Sequence, residues 1–325
     1  MNVATDREGE LGKPDACSVI SETAGASALG TAPAATFWIA LEQNGPWGDR
    51  AATQSGLDHE VGLALERRCR EAGGRFTLIR RPEAHSDGHV GRPRRVYLAG
   101  GLLDRPWMLQ DSVDDPTGLL RLPWAALGEG DIAAVQDAAP QLDRSPVPVL
   151  LVCTNSRRDI CCALRGRPVA LECSEQRPGR VWECSHTGGH RFAPTGVLLP
   201  HGQTFARLSG TSAVSAVDAS TRGEMPLELL GTAHDRGRTH LTPAAQAAES
   251  TVRQQILEPR LLSLSTTAAP LPGRTDAWQC GVTHVDGRHW DVVAVRESGG
   301  EDRPESCGKA SVPTWQWSVL SGFGR

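Results

Sequence analysis

One order of elements occurs twice along this chain of 325 residues: a strand, a helix and a second strand, then further strands and another helix. In the first pass TFWIALEQ (36–43) reads as a strand and LDHEVGLALERRCREAGG (57–74) as an amphipathic helix closed by glycines. RFTLIRR (75–81) and RRVYLAG (94–100) read as strands, and GDIAAVQDA (130–138) as a helix. In the second pass PVPVLLVCT (146–154) is a buried strand and RDICCALRGRPVALECSEQ (158–176) a helix, with Pro168 as a break. RVWECS (180–185), APTGVLLP (193–200) and TFARL (204–208) follow as strands, and TSAVSAVDASTR (211–222) as a helix. Alternation of this kind predicts an α/β fold made of two related units.

The expected boundaries are a poorly ordered arm over 1–35, an N-terminal unit over 36–140, a second unit over 146–263 with trailing helices, and a β-rich extension over 275–325. The trailing helices are PLELLGTAHDRG (226–237) and TPAAQAAESTVRQQILEPRLLS (242–263), the latter with Thr242 as N-cap and Pro243 at its first position. A linker rich in Thr, Pro and Ala (265–274) leads to DAWQCGVTHV and HWDVVAVRE. These two flank Asp286-Gly287, a two-residue hairpin signal, and TWQWSVL (314–320) offers a third strand.

A formal net charge of −4 gives no basic field for nucleic acid or an anionic membrane. The longest apolar stretch, around VPVLLVC (147–153), is far shorter than the roughly 20 residues a bilayer needs. MNVATDREGELGKPDACS, at the start, carries both charge signs and no apolar run, so it does not read as a secretion signal and a cytoplasmic location is expected. No P-loop is present, and no G-x-G-x-x-G stands between a strand and a helix.

Five of the nine cysteines, Cys153, Cys161, Cys162, Cys173 and Cys184, fall between 153 and 184; Cys17, Cys69, Cys280 and Cys307 are scattered. In a reducing compartment such a cluster points to metal or catalysis rather than disulfides. VWECSHTGGHRFAP (181–194) adds His186 and His190, separated by Thr-Gly-Gly, which disfavours a helix and makes this a loop after a strand. In a strand–helix–strand unit the C-terminal ends of parallel strands share one edge of the sheet. The strand-end Cys153, the helix-start Cys161 or Cys162 and the two-histidine loop are therefore expected to meet there as a pocket of two thiolates and two imidazoles.

Structural zinc usually takes a cysteine pair two to four residues apart. Cys153 and Cys162 are separated by eight, which suits a larger inorganic core such as [2Fe–2S]. Two thiolates and two neutral imidazoles on the oxidised core give a net charge of zero, which raises the potential relative to four thiolates, as in Rieske centres. Two other readings stay open on the residues alone: a zinc-binding structural or interaction domain using the same four residues, and a thiol redox enzyme working through Cys161, Cys162 or Cys153.

CTNSRRDICC followed by SHTGGHRFAPTGVLLPHG resembles the sucrase/ferredoxin-like family, as do ALEQNGPWG (40–48) and RGRTHLTPAAQAAE (236–249). The resemblance implies a thioredoxin-like [2Fe–2S] ferredoxin domain, preceded by a related unit without ligands. A C-x8-C and an H-x3-H would supply the ligands, so that Cys153, Cys162, His186 and His190 bind the cluster and Cys161 stands beside it. It also implies an electron carrier rather than an enzyme, working with a redox partner protein that is its reductase or acceptor. No carboxylate pair of the glycosidase kind supports sucrase activity. Arg157, Arg158 and Asp159 read as a solvated helix start, with Asp159 as N-cap. His85 and His89 repeat the H-x3-H spacing with no cysteine pair before them, and read as an exposed loop.

Overall fold

The computed structural model describes residues 16–84, 92–145 and 147–321; the loop expected around His85 and His89 lies outside them. After α1 (Cys17–Thr23), the first half runs β1 (Trp38–Glu42), α2 (Ala51–Gln54), α3 (His59–Glu71), β2 (Arg75–Arg80), β3 (Arg94–Gly100), β4 (Trp107–Val113), α4 (Trp124–Glu129), α5 (Ile132–Ala138) and β5 (Asp143–Arg144). The second half runs β6 (Val149–Cys153), α6 (Ile160–Gln176), β7 (Val181–Cys184), β8 (Gly196–Leu199), β9 (Gln203–Phe205), α7 (Gly210–Ser220), β10 (Asp235–Arg238) and α8 (Pro243–Gln255). β11 (Leu264–Pro270), β12 (Ala277–His284), β13 (His289–Ser298) and β14 (Trp315–Ser321) close the described chain.

The fold is α/β, and both halves share one ten-stranded sheet in the order β10-β9-β8-β6-β7-β2-β1-β3-β4-β5. The repeat seen in the sequence returns as topology. β1 is parallel to β2 and antiparallel to β3, which pairs antiparallel with β4; likewise β6 is parallel to β7 and antiparallel to β8, which pairs antiparallel with β9. The halves meet where β2 runs antiparallel to β7 through two residue pairs, Ile79–Cys184 and Arg80–Glu183.

Strand periodicity of two sorts the core. Trp38 and Ala40 face one hydrophobic cluster while Phe37, Ile39 and Leu41 face another; Leu151 and Cys153 join the first, and Leu150 and Val152 a third. Both faces of β1 and β6 are thus covered, which accounts for their unbroken apolar runs. The cluster spanning both halves also takes in Ala16 and Cys17 from the arm, with Cys307 packed against it.

Several expectations need correcting. Pro168 lies inside α6 without breaking it. Its missing N–H and ring clash cost a helix about 3 kcal/mol, but α6 is held by burying Cys161, Cys162, Val169, Ala170 and Cys173. The helix expected at 226–237 is a single 3-10 turn, Leu227–Leu229, followed by β10, which pairs with β9 across an irregularity at Gly237 (φ +100°). α8 ends at Gln255 rather than 263, where Leu257 turns to φ +52°. Residues 16–35 are not a loose arm: α1 forms there and Cys17, Ala28 and Leu29 are buried. The expected linker at 265–274 is largely β11, whose residues from Leu264 to Pro270 pair with β12 from His284 to Trp278. β4 and α4 carried no strong local signal. The hairpin at Asp286-Gly287 forms as expected, β14 adds to β13, and this four-stranded sheet buries Cys280, Val282, Val292 and Ala294 against α8.

Candidate metal centre

β6 and β7 end in register, Cys153 opposite Cys184. The chain leaves β6 at Thr154, turns through Asn155 and enters α6 at Asp159, whose carboxylate caps the helix by accepting the Cys161 N–H (2.9 Å). Cys161 and Cys162 are both buried in the first turn of α6. Successive helical residues point about 100° apart, so the two sulfurs aim at different neighbours.

Cys162 faces the histidine loop, with its Sγ 3.3 Å from His190 Nδ1. The His186 and His190 rings stack, their centroids 5.0 Å apart and 28° from coplanar. The Cys153 thiol hydrogen-bonds with Cys162 and with His186. The loop permits this through Gly188 and Gly189, both at positive φ, and a Cβ on Gly189 would lie 2.5 Å from Arg236 Nη2. All four residues expected at this edge are therefore adjacent, linked in the order His186, Cys153, Cys162, His190.

Their electrostatics suit ligands. The Cys162 hydrogen bond, with His186 beside it, holds Cys153 well below the ordinary thiol range despite burial, whereas Cys162, next to that thiolate, retains its proton. Burial lowers the His190 pKa and keeps its ring neutral, the form that binds metal. Cys184 is pushed up by burial and Cys173 up to about 12 for the same reason, which leaves both as inert thiols.

Arg236 is a residue the sequence did not single out. It is 1% exposed and has no carboxylate partner among the described residues; its Nη1 donates to the Gly188 carbonyl (3.0 Å) and its Nε to Thr31 Oγ1 (3.0 Å). It ties the histidine loop to the arm, and the lowering of its pKa to about 9 comes from burial.

Cys161 turns away from this set. Its Sγ lies 3.6 Å from Cys17 Sγ and 3.0 Å from Cys307 Sγ, and Cys17 and Cys307 are 3.6 Å apart. Asp159 completes the group, its oxygens 3.7 and 3.9 Å from Cys17 Sγ. Cys17, Asp159, Cys161 and Cys307 have donor atoms all within 4.8 Å of one another and could bind a metal; among the described residues no other set of three or more Cys, His, Asp or Glu does so. Cys17 and Cys307 were missed because each is isolated in sequence. The one available hint was the vicinal pair, which cannot serve one point with both sulfurs.

The architecture and this edge define an α/β protein with a cysteine–histidine centre where two parallel strands end. The segment 74–229, just under half of the chain, matches the family model described as Sucrase/ferredoxin-like. It contains all four of the converging residues. No curated protein and no solved structure matches the chain. No helix among the described residues is long and apolar enough to cross a membrane.

Proposed function

We propose that the chain is a one-electron carrier in which Cys153, Cys162, His186 and His190 hold a [2Fe–2S] cluster. The observation that carries this reading is the meeting of two buried thiols with two stacked imidazoles at the C-terminal edge of β6 and β7. The donor set fits the group, since two sulfurs and two nitrogens match the mixed ligation known to raise cluster potentials. When bound, the cluster would accept and release one electron. The chain's own residues do the rest: Cys153 and Cys162 are buried anchors, while the half-buried His186 and His190 lie nearer solvent. Arg236 holds the histidine loop and places a buried positive charge near both cysteines.

The donors of these four residues do not all lie within 4.8 Å of one another; among the described residues only Cys17, Asp159, Cys161 and Cys307 do. That spread favours a two-iron core over zinc on these four residues. A vicinal-disulfide enzyme is disfavoured by the opposed directions of Cys161 and Cys162. We infer a cytoplasmic setting and a protein redox partner, reductase or acceptor, with no nucleic acid or membrane partner. Iron and acid-labile sulfide analysis, with electron paramagnetic resonance of the dithionite-reduced protein, tests the proposal. Two irons and two sulfides per chain and a rhombic reduced signal are expected; a colourless, iron-free protein after anaerobic purification or reconstitution overturns it.

A further inference from the structure

Cys17 comes from the arm, Asp159 and Cys161 from the start of α6, and Cys307 from the connection between β13 and β14. Three sulfurs and a carboxylate from three distant parts of the chain rarely approach so closely without a reason. We propose that Cys17, Asp159, Cys161 and Cys307 form a second metal site, which binds one structural zinc ion and fastens the arm and the C-terminal extension over the cysteine–histidine centre.

The spacing identifies the occupant. At the usual Zn–S length of about 2.3 Å, two sulfurs on a tetrahedral ion stand about 3.8 Å apart, and a sulfur and a carboxylate oxygen about 3.5 Å apart. The observed separations are 3.0, 3.6 and 3.6 Å between sulfurs and 3.7 Å from Cys17 Sγ to Asp159 Oδ2. These edges outline one ion and leave no room for two bridged irons. Thiolates with a carboxylate are donors zinc accepts in closed, four-coordinate sites.

The site is also braced from outside. Asp159 Oδ2 accepts the Ser306 hydroxyl (2.7 Å) and the Cys307 N–H (2.9 Å), and Oδ1 accepts the Cys161 N–H (2.9 Å). Bonds of this kind orient a ligating carboxylate. The backbone N–H of Cys17 faces the Cys307 sulfur and that of Ser18 faces the Cys161 sulfur, which offsets thiolate charge. Cys17 and Cys161 are buried and Cys307 is partly exposed, so the metal would enter from the Cys307 side. Because Cys161 and Cys162 are neighbours, this clamp would also fix the first turn of α6 and hence the aim of Cys162.

The test is metal analysis of the full-length protein, carried out on wild type, Cys307→Ser, Cys17→Ser and Cys153→Ser, each produced with zinc and iron supplied. Wild type should carry one zinc per chain whatever its iron content. Cys307→Ser and Cys17→Ser should lose the zinc while keeping iron, and Cys153→Ser should lose iron while keeping zinc. Cobalt added to metal-free Cys153→Ser protein, whose cysteine–histidine centre has lost a thiolate, should give a charge-transfer band of three thiolates that is weakened by at least a third when Cys307→Ser is added, a readout that does not depend on iron or on a variant's yield. Substoichiometric zinc in wild type with no cobalt band in Cys153→Ser overturns the proposal. So does zinc that survives Cys307→Ser but disappears with Cys153→Ser, or a Cys161–Cys307 disulfide found by mass spectrometry in freshly purified protein.

Discussion

Removing the Glu183 carboxylate tests how the two halves of the sheet are joined. Glu183 sits where β2 meets β7; its Oε2 accepts from Arg80 Nε at 2.6 Å and from Thr154 Oγ1 at 3.0 Å, and the Arg80 and Glu183 side chains are 4% and 0% exposed. Arg80 lies over the Trp47 ring at 3.9 Å and donates to the Gly45 carbonyl, so it cannot swing out to water when its partner is lost. Removing one member of a buried pair costs about 3–5 kcal/mol, chiefly because the other charge is stranded. Unfolding entropy of about 2.1 cal/mol/K per residue, summed over the chain, converts this into a fall in Tm of about 4–7 °C for Glu183→Ala. The Arg80→Met/Glu183→Met double variant strands no charge and should return to within about 1 kcal/mol of wild type. Urea denaturation of the three proteins, followed by far-UV circular dichroism, measures both numbers. A loss below about 1 kcal/mol in Glu183→Ala, or a double variant as weak as Glu183→Ala, would refute the reasoning. Thr154 directly follows Cys153 and Glu183 is three residues before His186, so the same joint supports the centre from below.

If the imidazoles are ligands, the midpoint potential falls with rising pH above the oxidised-state histidine pKa, since the outer ring proton leaves more readily on the ferric side; a flat potential from about pH 6 to 10 in protein-film voltammetry excludes this. His190→Cys adds negative charge at the cluster and lowers the potential in the same experiment, whereas an equal or higher value removes His190 from the ligand set. Gly189→Ala forces a Cβ against Arg236 and strains a positive φ, so iron retained per chain should drop; full retention would show that the loop gives way. His201, its pKa lowered to about 4 by burial, should weaken the protein in acid. Its unfolded form takes a proton below about pH 6.5 while the folded form resists until about 4, so up to about 3 kcal/mol of stability present above pH 6.5 is lost on the way down. His201→Asn should flatten the difference in urea midpoint between pH 7.5 and 5; an unchanged difference assigns it elsewhere.

What the residue pattern determined by itself is the repeated strand–helix–strand order and the shared edge of Cys153, one of the pair Cys161 and Cys162, His186 and His190. Strand and helix periodicities are set by burial between near neighbours, and a parallel crossover then leaves little choice about which loops lie together. Pro168 inside α6 and the strand β10 within a stretch read as helix mark where packing overruled local preference. The tertiary structure alone decided that Cys161 turns from Cys162's partners toward Cys17 and Cys307, which stand 144 and 146 residues away along the chain. It also decided that Arg236 reaches Thr31 across 205 residues. Contacts at such separations depend on how whole elements stack, and single residues isolated among unrelated neighbours leave no periodic trace of them.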